Sequence, residues 1–164
     1  GLEDLEGAHD DLQEARRRAP NTAELKIRWA ELLLALNRPD SDVAEAYVAA
    51  LREEPKRRVA LVAWRYCRRA GREDLALFVS SRMASPQRPV WTVLQAMIAL
   101  ELRQDDWTTI LEHASAQLAA SETPAQREGA RALTALDLSD RDACHASIFA
   151  LVKELDPTLA ISAD

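Results

Sequence analysis

Residues 153–160 read KELDPTLA. A charged helix tail runs into Asp156 and Pro157, followed by Thr158 and a new apolar start. Proline has no amide hydrogen for a helix interior and disfavours helical geometry in the residue before it. It is accepted in the first turn of a following helix. The stretch therefore ends one helix and prepares another. RRRAPNTA at 16–23 and REEPKRRVA at 52–60 have the same shape.

These stretches are marks on a ruler. Prolines stand at 20, 55, 89, 124 and 157, at steps of 35, 34, 35 and 33. Five residues before each stand Ala15, Ala50, Ala84, Ala119 and Val152. Nine residues after the first four stand Trp29, Trp64, Ile98 and Leu133. A small residue ahead of the break lets a neighbouring helix approach closely. A bulky residue two turns into the next helix fills the space between neighbours. A period near 34 residues built this way is the signature of a helix-pair array.

Composition agrees. The chain has 164 residues, 48% of them apolar, with four glycines and 5% aromatic residues. That is enough apolar surface for a core and too little turn glycine for an all-β fold. Amphipathic spacing predicts nine helices, at about 3–18, 23–37, 42–54, 57–70, 73–84, 90–103, 106–121, 125–137 and 140–155. Leu25, Trp29, Leu32, Leu33 and Leu36 form one such stripe; Ile148, Leu151, Val152 and Leu155 form another. Asn21 with Glu24, and Thr123 with Gln126, read as helix starts. Ser41/Asp42, Asp105/Asp106 and Ser139/Asp140 offer capping side chains at the mid-repeat turns, and Gly71 separates two helices.

No stretch is apolar enough to cross a membrane as a helix. The net charge of −6 argues against a nucleic-acid partner, which needs a cationic footprint. The charge is uneven: residues 51–89 carry a local +6 and the remainder −12. Cys67 and Cys144 show no metal spacing and are expected as buried free thiols. His9, His113 and His145 fall in different repeats, away from any metal-binding pattern. Catalytic, cofactor-binding and metal-binding residues are expected to be none, and no cofactor is implied. Trp29 and Trp64 share a repeat phase and are expected in the core. Trp91 and Trp107 open helices and are expected to be partly exposed. The arginines of the basic block are expected either to pair with Glu31, Glu53 and Glu54 or to face an acidic partner.

Two antiparallel helices every 34 residues or so, with a large residue in the first helix, small residues in the second and a closing proline, resemble the tetratricopeptide repeat family. The small neighbour of the large residue is Ala30 and Ala99 in two repeats; Arg65 and Thr134 depart from the pattern. Another helix-pair solenoid of the same period is the competing reading. The resemblance implies an all-α, right-handed solenoid: a half repeat at 1–20, repeats at 21–55, 56–89, 90–124 and 125–157, and the start of a next element at 158–164. Both ends are expected to continue into further repeats.

In that family the first helix of each repeat lines a concave surface. Carried over by register, the surface holds Glu24, Ile27 and Glu31, then Val59, Val62, Tyr66 and Arg69. It continues through Val93, Ala96, Leu100 and Arg103 to Glu128 and Arg131. Glu31, Val62, Tyr66, Arg69, Leu100, Arg103 and Arg131 are the candidate partner-binding residues. The resemblance implies a non-enzymatic scaffold that binds a protein or peptide, with the arginines favouring an acidic one. Eighteen arginines against three lysines point to a GC-rich bacterial source. The periplasmic repeat regions of exopolysaccharide exporters and secretion assemblies are bacterial relatives of that family. An accessory domain of a cell-envelope enzyme and a polysaccharide-binding groove are the alternatives. Replacing Ala50 by Trp should overpack the helix interface and lower stability by about 1–3 kcal/mol or more in denaturant unfolding. An unchanged midpoint would mean that the repeat register is misplaced.

Overall fold

The computed structural model describes residues 1–18 and 22–160. Pro20 and Asn21, the first mark of the ruler and the expected cap of the second helix, lie outside them, as does 161–164. Among the described residues the chain is all-α, with nine helices and no strand. They are α1 Leu2–Arg18, α2 Ala23–Ala35, α3 Asp40–Glu53, α4 Arg57–Arg69, α5 Glu73–Met83, α6 Pro89–Glu101, α7 Trp107–Ala119, α8 Pro124–Thr134 and α9 Arg141–Leu155. Each expected helix is present. No helix of the described residues is long and apolar enough to cross a membrane.

The chain forms two compact units, residues 1–75 and 76–164, with the division inside α5. In the first unit each helix packs on the next, α1 on α2, α2 on α3 and α3 on α4. Ala30, Ala44, Ala50, Ala60 and Ala63 are fully buried there, so small side chains set the close approach. Trp64 fills the space between, 1% exposed. Trp29, at the same phase, is half-buried; it carries His9 at 4.9 Å and the Arg16 guanidinium at 4.4 Å from its ring.

In the second unit α6 packs against both α7 and α9, while α8 touches α7 and α9. Eleven of the thirteen residues of α6 are buried, as expected of a helix apolar on almost every face. This corrects two expectations. Trp91 and Trp107 are each 3% exposed, because the helices they open are packed on both sides. Val93 and Ala96 are fully buried and line no surface groove. The repeat phase also loosens here: Ala119 is exposed and Ala84 half-buried, where Ala50 and Val152 are fully buried.

Three of the turns follow one plan. After α2, Asn37 takes φ 54°, and the Asn37 and Arg38 amides donate to the carbonyls of Leu34 and Leu33 at 3.0 Å each. After α4, Gly71 takes φ 64°, with Gly71 and Arg72 donating to Arg68 and Cys67. After α6, Arg103 takes φ 56°, with Arg103 and Gln104 donating to Leu100 and Ala99. Each is the paired hydrogen-bond closure that a left-handed residue permits at a helix end. Capping at the N-termini is less uniform. Thr22 and Asp140 accept from the amides of Leu25 and Ala143, whereas Thr123 and Asp106 make no side-chain cap bond. Ser41 and Asp42 lie inside α3, which starts after Pro39. The proline's fixed φ begins the helix where a capping side chain was expected.

Left-handed geometry costs a side-chain-bearing residue about 1 kcal/mol, and glycine almost nothing. Arg103→Gly should therefore raise stability by roughly 0.5–1 kcal/mol, and Gly71→Ala should lower it by a similar amount. A β-carbon at Gly71 would meet no atom within 4 Å, so the loss would be purely conformational. Thermal unfolding of both variants checks this; equal shifts in the same direction would refute it.

Candidate functional site

The sequence-derived surface residues gather best in the first unit. Glu24, Ile27, Arg28 and Glu31 of α2 face Glu54, Lys56, Arg58, Val59 and Val62 across a cleft of about 300 Å³. Residues three and four apart on a helix share a face, which is why 24, 27 and 31 appear together, and 59 with 62. The floor is apolar, from Ile27, Val59 and Val62. The rim is charged and largely self-matched: Arg28 pairs with Glu24 at 3.0 Å, and Lys56 with Glu54. Glu31 and Arg58 are exposed at its edge.

Tyr66 and Arg69 continue along α4. The Tyr66 hydroxyl donates to Asp40 at 2.8 Å, and its ring lies 5.2 Å from Tyr47. Burial first, then the bond to Asp40, pushes the Tyr66 phenol far above its ordinary range. Burial and the nearby Glu31 raise that of Tyr47. Both tyrosines are thus neutral packing groups, and Tyr66 also hydrogen-bonds Asp40. Arg69 is exposed in the last turn of α4.

The other candidates separate. Leu100 and Arg103 border a cleft of about 710 Å³ between the end of α6 and the start of α9, with Glu101, Arg141, Asp142 and His145. Leu100 itself is buried. Arg131 lies elsewhere in that unit, on the α7/α8 side, paired with Glu128 at 2.9 Å. The structure therefore joins Glu31 with Val62, and Leu100 with Arg103, and leaves Arg131 apart from both sets. It also shows a contact that the sequence does not signal. His145 Nε2 meets Glu101 Oε1 at 2.7 Å, 44 residues away in the chain. The Glu101 side chain is only 16% exposed, so this contact holds α9 to α6. No spacing motif links the two positions.

Glu53 and Glu54 each meet a lysine. Glu53 takes Lys26 at 2.9 Å, and Glu54 takes Lys56. Arg72 pairs with Asp74, whose carboxyl is held below its ordinary value chiefly by that hydrogen bond. Arg68 lies over the Trp64 ring at 5.8 Å. Asp137, at the α8–α9 turn, accepts from the Ser139 hydroxyl at 2.6 Å, which lowers its pKa. Among the described residues no group of three or more His, Cys, Asp or Glu side chains is placed to hold a metal ion. Compared with models of known protein families, with curated proteins and with solved structures, the chain matches none.

Cys67 and Cys144 are buried free thiols. Burial pushes the Cys67 thiol up to about 12, and burial with Asp140 and Asp137 raises that of Cys144. Since the thiolate is the nucleophile, both should resist iodoacetamide in the native chain at mildly alkaline pH. Both should react once denaturant is added. Rapid native labelling of Cys67 would contradict the packing of α4.

Proposed function

We propose that the chain is a non-enzymatic helical-repeat scaffold, of the tetratricopeptide kind, that holds an extended segment of a partner protein in the α2/α4 cleft. One observation carries this reading. Glu24, Ile27, Glu31, Val59 and Val62, assigned by repeat register to one lining, border a single cleft. Its apolar floor offers anchor points, and its charged rim fixes orientation through backbone and side-chain polar groups of the guest. An acidic guest is favoured by α4, which carries Arg57, Arg58, Arg65, Arg68 and Arg69 and no carboxylate. The rim acids Glu24 and Glu54 are matched by Arg28 and Lys56, which softens their repulsion. A bacterial exopolysaccharide export or secretion assembly is the setting proposed for the parent protein. That setting rests on arginine-rich composition and on resemblance alone.

Selection of a phage-displayed library of linear random peptides on the chain tests the proposal. Convergent binders with acidic residues beside apolar anchors are expected. Val62→Asp should weaken them at least roughly ten-fold, the size expected for a charge in an apolar anchor site. Its circular dichroism should be unchanged, because Val62 is only half-buried. Failure to enrich any sequence, or binders indifferent to Val62→Asp, would overturn the reading.

A further inference from the structure

Two surface hollows lie in the other unit, between α7 and α8. The hollows, of about 580 and 250 Å³, adjoin at Ser115 and Thr134, which line both. From Leu111 to Ala119 the α7 wall spans nine residues, about 12 Å or two helical turns. The two ends differ in chemistry. One is apolar, with Leu111 and Leu133 in the floor and Leu136 and Leu138 at the lip. Leu138 is 40% exposed, a large apolar side chain left open to water. The other end is basic, with Arg127 and Arg131. The middle is narrow and already hydrogen-bonded. Ser115 and Thr134 hydroxyls meet at 3.3 Å, and each also reaches the Ala130 carbonyl. The small side chains of Ser115, Ala119, Ala130, Thr134 and Ala135 let another backbone come close.

The basic end is positioned in advance. Arg127 donates through Nη1 to the carbonyls of Ser121 and Glu122 at 3.1 and 2.9 Å, which pins its guanidinium at the end of α7. Its remaining donors stay available for a planar, two-point contact with a carboxylate. Arg131 is tied only by its exposed pair with Glu128, an interaction worth little in water and readily exchanged. Glu112 stands on the wall of the apolar end, so an acidic guest is attracted at one end and repelled at the other. The groove thus has a direction.

We infer that this groove docks a two-turn amphipathic helix of a partner protein, its apolar residues at i, i+3, i+4 and i+7 over the leucine end and its carboxylates against Arg127 and Arg131. Helix-in-groove recognition uses that anchor spacing. The inference does not depend on the α2/α4 cleft, which lies in the other unit.

Fluorescence polarisation with two synthetic helical peptides tests it. Both carry leucines at that spacing; one has two glutamates at one end and the other two lysines. The glutamate peptide should bind, and the lysine peptide roughly ten-fold or more weakly. Arg127→Glu with Arg131→Glu should reverse the preference. Leu138→Asp, at an exposed loop position, should weaken both peptides while the helical circular dichroism stays intact. Val62→Asp should change nothing, which separates this groove from the α2/α4 cleft. The inference falls if neither peptide binds or if the charge preference does not reverse. It also falls if light scattering finds a dimer that Leu138→Asp dissociates, since the groove would then belong to a second copy of the chain.

Discussion

An α-helix ends with four carbonyl oxygens unpaired, and two helices can lie side by side only if the chain turns back within a few residues. Asn37 and Arg103 meet both demands at once, and Gly71 closes the end of α4 in the same way. Their left-handed backbone, at φ 54°, 64° and 56°, bends the chain while two amides return to the last-turn carbonyls. Their spacing, 34 and then 32 residues, is the repeat measured at its other end. The prolines mark where a pair closes, and Asn37 and Arg103 mark where α2 folds onto α3 and α6 onto α7. After α8 this closure is absent: Ala135 and Leu136 bond back in the last turn, and Asp137 instead anchors Ser139. The link to α9 is correspondingly longer.

The helices were legible because their causes are local. Proline positions, apolar stripes and the scarcity of glycine each act within a few residues. Of the three turn residues, Gly71 could be read directly. Asn37 tolerates the left-handed region and gives a weak signal. Arg103 gives none, since nothing in its side chain favours that geometry. Long-range facts were less visible. His145 and Glu101 meet across 44 residues, and no periodicity predicts which exposed phase of α9 will face α6. Trp91 and Trp107 were misplaced for a related reason. A residue at a helix start is exposed only if nothing packs over that end, and that depends on neighbours chosen by the whole unit.

The same reasoning explains why Glu24, Ile27, Glu31, Val59 and Val62 border one cleft while Val93 and Ala96 border none. α2 and α4 keep a polar face: Glu24, Arg28 and Glu31 on one, Arg58, Arg65 and Arg69 on the other, all exposed. A cleft between them can therefore be reached from water. α6 has no such face. Its sequence, PVWTVLQAMIALE, places apolar groups on every side, so Val93 and Ala96 can only be core. Repeat register predicts where a residue sits on its helix. Whether that position is wet depends on how many neighbours the helix has, which register does not encode.

The distribution of arginine follows from the same balance. Arg16 lies 4.4 Å over the ring of Trp29, and Arg68 lies 5.8 Å from that of Trp64. Those tryptophans occupy equivalent positions in successive repeats. A guanidinium on a long apolar stem can cover a ring while its charge stays hydrated. Part of the arginine excess is thus accounted for inside the fold, as cover for the rings of Trp29 and Trp64. The pairs Lys26–Glu53 and Arg72–Asp74 take up further charge. The tether of Arg127, two main-chain carbonyls at the end of α7, neutralises no acid. A guanidinium held by neutral groups keeps its full field, and a surface keeps such a charge directed outward only where the geometry of the helix end fixes it.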